Sequence, residues 1–411
     1  MLYSLYHALA HYDIPGLGLL RYLSFRAGIA FVLALLVTIA LGGRFIRVMR
    51  RLQIGEDIRD LGFEDQMAKR GTPTMGGILI LAATLIPSLL LADLRNPYIF
   101  IMLVSTVWLG LIGGADDYIK VFRRNKKGLN GWLKVMGQVG LGLFVGLMLF
   151  LSPRVMVRGE AHQASGSAPV AVELTEATPR AGGYEKNLKT TIPFLKDHEL
   201  DYRDLVPLEG RMGNMLAWGL FVFVVVFIVT AVSNGANLTD GLDGLAAGSS
   251  APMAMVLGVF AYLSGHVIYS SYLHIMYIPE VGELVVYISG FIGALVGFLW
   301  YNAYPAQIFM GDTGSLTIGG VLGVYAVLVR KELLLPVLCG VFLLESLSVI
   351  VQVAYFKYTK RRYGAGRRVF LMSPLHHHYQ KKGFVESHIV TRFWIVSILL
   401  AGLAVVTLKI R

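Results

Sequence analysis

Cysteine occurs once in the 411 residues, as Cys339 inside an apolar run, which excludes an intrachain disulfide and leaves the redox compartment unspecified. That residue reads as a small buried hydrophobe. Charged residues are also scarce, 15% of the chain against about 25% in a soluble globular domain, and this excludes the soluble class. The chain has no GxxxxGK[ST] phosphate loop, and no nucleic-acid recognition motif accompanies its net charge of +11. Its first residues, "MLYSLYHALAHYDIPGLGLLRYLSFR", lack a short basic start and a small-residue cleavage site, so no removable signal peptide is expected.

Apolar length is what the chain has in abundance. Hydrophobic residues make up 55% and the mean hydropathy is +0.62. Ten apolar segments near 20 residues long lie at about 27–47, 75–93, 97–115, 132–152, 214–233, 244–265, 284–301, 314–330, 334–356 and 389–409. A helix of that length spans roughly 30 Å of hydrocarbon. The expected fold is therefore an all-α, polytopic integral membrane protein with about ten transmembrane helices, one domain over 1–411.

Loops 44–74, 116–131, 234–243, 302–313 and 357–388 then fall on one side, and three of them are rich in lysine and arginine. The opposite short connections hold chiefly Arg21, Arg95, Arg330 and Lys331. The positive-inside rule makes the first set cytoplasmic and both termini periplasmic. Attraction to anionic membrane lipids accounts for most of the excess positive charge, and no nucleic-acid partner is expected. The long segment 153–213 mixes Glu173 and Asp201 with its bases and contains "HQASGSAPVAVELTEATPRAGG". It is expected to be a flexible or weakly structured periplasmic insert and not a second globular domain.

The topology rests on apolar runs and Lys/Arg counts alone, yet the unusual polar clusters all fall on the cytoplasmic side. They are "KRGTPTMGG" (69–77), "GADDYIK" (114–120), "NGANLTDGLDG" (234–244), "YNAYPAQIFMGDTGS" (301–315) and "SPLHHHYQKKG" (373–383). Asp116 and Asp117 end an apolar helix, where the dipole is already negative and each carboxylate is unfavourable by roughly 0.3–1 kcal/mol. A salt bridge to Lys120 or Arg123 is the ordinary compensation. A divalent cation held with a third carboxylate is the functional one, and carboxylates plus substrate phosphates suit Mg²⁺.

Asp240, Asp243 and Asp312 each precede an apolar run and fit helix capping. Asn237, Asp240 and Asp243, spaced by three, would instead share one broad face if they lie on a helix. Asn, Pro and Gly in "NAYPAQIFMG" predict irregular backbone beside the membrane. The glycines and threonines of "GTPTMGG" could bring backbone N–H groups to an anion. Consecutive histidines at 376–378 converge poorly on one ion, which favours donors to phosphate or sugar over zinc ligands. Acids for a metal and cations for anions at a membrane surface together suggest phosphoryl transfer, which needs mainly positioning and charge neutralisation. An ion-coupled transporter is the competing class. It fits less well because the acids stop at one end of the spans.

"GTPTMGG", "ADDYIK", "NLTDGLDGLA", "NAYPAQIFMGDTGSL" and "PLHHHYQKKG", in this order, closely resemble the phospho-N-acetylmuramoyl-pentapeptide transferases, a branch of the polyprenyl-phosphate N-acetylhexosamine-1-phosphate transferases. The resemblance covers nearly the whole chain outside 153–213, which is longer than usual for the family. It implies ten helices in the bacterial inner membrane. It further implies Mg²⁺-dependent transfer of the phosphosugar from UDP-N-acetylmuramoyl-pentapeptide to undecaprenyl phosphate, giving lipid I and UMP, in a homodimer. Asp116, Asp117 and Asp312 are then the essential aspartates and metal candidates, Asp312 first, with His376 a further catalytic residue. Lys69, Thr74, Asn237, Asp240, Asn302 and His377 would line the substrate cleft, joined by Lys120, Lys134 and Asp243.

Overall fold

The computed structural model describes residues 2–3, 16–52, 69, 71–123, 125, 127–158, 184–193 and 199–409. Each of the ten apolar segments contains a helix. They are α1 (Leu23–Arg51), α2 (Gly77–Leu91), α3 (Pro97–Val121), α4 (Gly131–Leu151), α5 (Gly210–Thr239), α6 (Leu245–Ser264), α7 (Leu284–Asn302), α8 (Gly311–Leu328), α9 (Gly340–Tyr363) and, after the short α10 (Leu375–Lys381), α11 (Glu386–Val406). Among the described residues, eight helices are long and apolar enough to cross a membrane, and α2 is a shorter apolar helix of 15 residues. The chain is an all-α polytopic membrane protein.

Helix α8 lies at the centre of the bundle. It packs on α3, α5, α2 and α6, and every residue from Thr313 to Leu328 is buried. Small residues make this possible: a Cβ on Gly319 would lie 2.3 Å from the Val232 carbonyl oxygen of α5. Around this axis α1 packs on α7, α4 on α5, and α11 on α6. Outward faces stay apolar, as on α5, where Phe223 and Phe227 are exposed.

Among the departures from expectation, three concern where a helix starts or breaks. The segment at 334–356 is interrupted: Leu335–Leu338 forms a separate turn of helix carrying Pro336, and α9 begins only after Cys339. Helix α8 starts at Gly311 instead of 314 because a side chain from another helix satisfies its first turn. Asn237, Asp240 and Asp243 do not share a helical face, because α5 ends at Thr239 and Gly244, at φ 76°, precedes α6 without a side-chain cap.

The described part of the 153–213 insert is more ordered than its composition suggests. Strands β1 (Val157–Arg158) and β2 (Tyr184–Glu185) pair antiparallel, as do β3 (Lys189–Thr191) and β4 (Glu199–Asp201). The second hairpin sits on the C-terminal end of α8, where the Thr191 N–H donates to the Arg330 carbonyl (3.3 Å) and the Tyr202 hydroxyl to Glu332 (3.3 Å). The Gly- and Ala-rich stretch at 162–183 lies outside the described residues.

Candidate active site

Helix α3 continues past residue 115, so Asp116 and Asp117 occupy its last turns, both buried. Asp117 is the clearer case. Its carboxylate accepts the backbone N–H groups of Asp312 (3.0 Å) and Thr313 (2.9 Å) and the Thr313 hydroxyl (2.6 Å). Those N–H groups belong to the first turn of α8, whose own N-terminal residue Met310 supplies no side-chain cap. A carboxylate placed at the unfavourable end of one helix thus caps the favourable end of another. Two glycines allow the approach. A Cβ on Gly311 (φ 73°) would lie 2.5 Å from Asp117 Oδ2, and one on Gly113 would lie 2.3 Å from the Asp312 carbonyl oxygen.

Asp116 faces lysines. Its Oδ2 pairs with Lys120 Nζ at 2.6 Å, and its Oδ1 with Lys134 Nζ at 3.0 Å while also accepting the Leu129 N–H. Both lysines also reach Asp312, Lys134 at 2.5 Å and Lys120 at 3.3 Å, and Asn237 Nδ2 donates to Asp312 Oδ1 at 3.1 Å. The expected Lys120 salt bridge is therefore present, but it does not exhaust the cluster. One ligand oxygen from each of Asp116, Asp117 and Asp312 lies within 4.8 Å of the others, and the three carboxylates outnumber the two ammoniums. Hard, buried oxygens with residual negative charge fit a divalent cation such as Mg²⁺. Asp312 lies in the first turn of α8 and makes these contacts instead of capping the helix itself.

The turn between α5 and α6 ties this cluster to two others. Asn237, in the last turn of α5, reaches Asp312 and Ser315. Asp243 binds Lys69 Nζ (2.7 Å) and accepts the Ala306 N–H (2.9 Å). Glu386, at the start of α11, binds the same ammonium (2.5 Å) and accepts the Asp243 N–H (2.8 Å). Asn302 spends both ends of its amide on backbone, accepting from Gly244 N–H and donating to the Ile308 carbonyl, and so fixes the irregular 303–310 stretch to this turn. Asp240 is the C-terminal cap residue of α5. Thr74 is buried in a segment whose neighbours pair with 309–310: Phe309 N–H donates to the Pro73 carbonyl, and Gly76 and Gly77 N–H donate to Phe309 and Met310. The two glycine N–H groups are thus used within the fold and do not form an anion cradle.

Gly241, in the same turn, packs against His376: a Cβ there would lie 2.2 Å from Nε2. On its other side His376 Nδ1 lies 3.2 Å from Glu345 of α9, and both side chains are buried. His377 Nδ1 contacts Gln380 at 2.7 Å, while His378 Nδ1 accepts the Leu371 N–H. The three rings have three different partners, a poor arrangement for zinc. Burial and the neighbouring His376 pull His377 down to about 4. Asp116, Asp117, Asp312, Lys120, Lys134 and Asn237 thus form one group, Lys69 with Asp243 a second, and His376 with His377 a third. Sequence reasoning missed Glu345, Glu386 and Thr313. A lone carboxylate inside an apolar run was the available signal for Glu345, whereas Glu386 resembles any acid at a helix start.

Residues 99–330 match the family described as Glycosyl transferase family 4, and residues 69–81 match the phospho-N-acetylmuramoyl-pentapeptide-transferase signature 1. A protein of Parabacteroides distasonis named phospho-N-acetylmuramoyl-pentapeptide-transferase is 54% identical, with all of both chains covered. The chain belongs to this transferase family. A Flavobacterium johnsoniae protein of the same name is 55% identical over 97% of each chain, and one from Amoebophilus asiaticus is 54% identical over the whole of both. The signature falls on Lys69, Thr74 and Gly77, which packs against the first turn of α8. The longer family match spans Asp116, Asp117 and Asp312 together with the α5–α6 turn.

Proposed function

We propose that this chain transfers phospho-N-acetylmuramoyl-pentapeptide from its UDP carrier to undecaprenyl phosphate, releasing UMP and forming lipid I. The reaction takes place at the cytoplasmic face of the bacterial inner membrane, both termini are periplasmic, and the enzyme works as a homodimer. The observation that carries the reading is the buried Asp116–Asp117–Asp312 cluster flanked by Lys120 and Lys134 at one end of a membrane bundle.

On this reading the roles divide. Asp117 spends its carboxylate on the first turn of α8 and thereby positions Asp312. Asp116 and Asp312 would hold Mg²⁺, whose chemistry there is to neutralise charge on the diphosphate and the departing nucleotide. The nucleophile is already a lipid phosphate, so direct attack on the β-phosphorus needs no strong base. Asp116 orients that phosphate or takes its residual proton. Lys120 and Lys134, each able to leave a carboxylate for a phosphate oxygen, neutralise the diphosphate. Lys69, Thr74, Asn237, Asp240, Asp243, Asn302, His376 and His377 shape the donor cleft, with the α5–α6 turn as its spine.

Purified protein in detergent tests the proposal. UMP release from UDP-N-acetylmuramoyl-pentapeptide should require both undecaprenyl phosphate and Mg²⁺. Equal or faster release from UDP-N-acetylglucosamine would instead identify a sibling hexosamine-1-phosphate transferase. Accumulation of a phosphosugar-linked aspartate without lipid acceptor would replace direct attack by a covalent route.

A further inference from the structure

The C-terminal end of α8, opposite Asp312, runs into three consecutive charged residues, Arg330, Lys331 and Glu332, all buried. Arg330 stacks on Phe221 and donates to the Asn187 carbonyl. Glu332 accepts the Tyr202 hydroxyl. Lys331 differs from both. The residue is 3% exposed, its ammonium lies 5.6 Å from the centre of the Phe260 ring, and its one hydrogen bond among the described residues is to a neutral group, Thr191 Oγ1 at 2.7 Å. The carboxylate across the hairpin, Glu199, is paired with Lys189 at 3.0 Å. No carboxylate pairs with it directly, and although Glu332 and Glu199 act on it through space, burial outweighs them and pulls this amine down to about 8.

Lys331 also lines a cavity. Its walls are Phe260, Ile275, Met276, Leu334 and Leu408, with Thr191 beside the ammonium and the exposed Glu199 and His274 at the mouth. The volume of about 30 Å³ is room for about two water-sized groups, which admits two oxygens of a phosphate entering from the mouth. An ammonium with two unused donors at the base of an apolar pocket is complementary to an anionic head on an apolar stem. Lysine is also a common point-charge partner of phosphate.

We propose that the cavity around Lys331 is a phosphate-group binding site, separate from the catalytic cluster and roofed by the β3–β4 hairpin of the insert. On the topology above it faces the periplasm, where the phosphate comes from a phospholipid headgroup or from free phosphate. The hairpin supplies Thr191 to the site, which gives the ordered half of the insert a binding role.

The test uses the full-length protein in a phosphate-free neutral detergent. It is titrated calorimetrically with inorganic phosphate and, separately, with dihexanoyl phosphatidylglycerol, for the wild type, Lys331→Gln and Ile275→Trp. Loss of the ammonium should weaken the Lys331-dependent binding by about tenfold or more, the scale of one charge-assisted hydrogen bond. Ile275→Trp fills the half-buried wall while keeping the lysine, so it should block binding with UMP release unchanged, and it carries the test if Lys331→Gln does not fold. Saturation by the lipid alone identifies a headgroup site, and saturation by inorganic phosphate identifies a free-phosphate site. Identical isotherms for the wild type and the folded variants with both ligands would overturn the proposal, leaving a pocket filled by water.

Discussion

Replacing Asp117 by asparagine separates positioning from metal binding. The carboxylate accepts three hydrogen bonds from the first turn of α8. An amide keeps one acceptor oxygen and turns an NH₂ toward N–H donors, so at least one of those bonds is lost and the charge facing the helix N-terminus disappears. A hydrogen bond to a charged group contributes about 1.5–3 kcal/mol and the charge–dipole interaction up to about 2 kcal/mol. Asp117→Asn should therefore destabilise the protein by roughly 2–4 kcal/mol, visible as a lower thermal midpoint in detergent, together with loss of turnover. Asp312→Asn should abolish turnover with an unchanged or higher midpoint, because it removes a carboxylate crowded against Asp116 while Lys120 and Lys134 keep Asp116 as partner. An Asp117→Asn protein as stable as the wild type would refute the capping role.

The other contacts have distinct consequences. Lys69→Met leaves Asp243 and Glu386 buried without their shared cation and should cost about 3 kcal/mol or more; adding Glu386→Gln should restore part of the thermal midpoint but not UMP release. His377 is held at about 4 against an ordinary value of 6.5, so the unfolded chain binds more protons between those values and stability falls as pH drops through that window. His377→Gln should flatten the dependence of the thermal midpoint on pH there, and an unchanged slope would contradict the burial argument. Glu345→Gln removes the carboxylate that holds His376 against the donor cleft; KM for the UDP donor should rise by about tenfold or more, and an unchanged KM would leave Glu345 a packing residue. Deleting 162–183 should leave UMP release intact, whereas extending the deletion through Tyr202 exposes Arg330, Lys331 and Glu332 and should lower the thermal midpoint.

Much of this was legible in the sequence, because hydrocarbon sets helix length and the ten apolar runs locate the helices. The paired aspartates were anomalous for a reason that proved physical, since a carboxylate at a helix C-terminus needs an external partner. What the sequence could not show was that the partner of Asp117 is another helix 195 positions away, because a cap donated between helices leaves no local spacing. The same holds for Glu345 and Glu386, whose partners His376 and Lys69 come from remote segments. The common face expected for Asn237, Asp240 and Asp243 assumed an unbroken helix. The break at 240–244 instead leaves Asn237 on Asp312, sends Asp243 to Lys69 and turns Gly241 against His376, which is how one short turn reaches all three polar groups. Composition suggested weak structure across the insert, but its second hairpin is held by the buried charges beneath it.

The central claim is that Asp116 and Asp312 form the metal-dependent centre of phosphosugar transfer, with Asp117 acting through α8. UMP release measured against Mg²⁺ concentration in the wild type, Asp116→Asn, Asp117→Asn and Asp312→Asn tests it most directly. The account predicts a saturable Mg²⁺ requirement in the wild type, none rescued by excess Mg²⁺ in Asp116→Asn or Asp312→Asn, and partial rescue in Asp117→Asn. Near-normal release by a folded Asp312→Asn protein, or release indifferent to Mg²⁺ in the wild type, would contradict it.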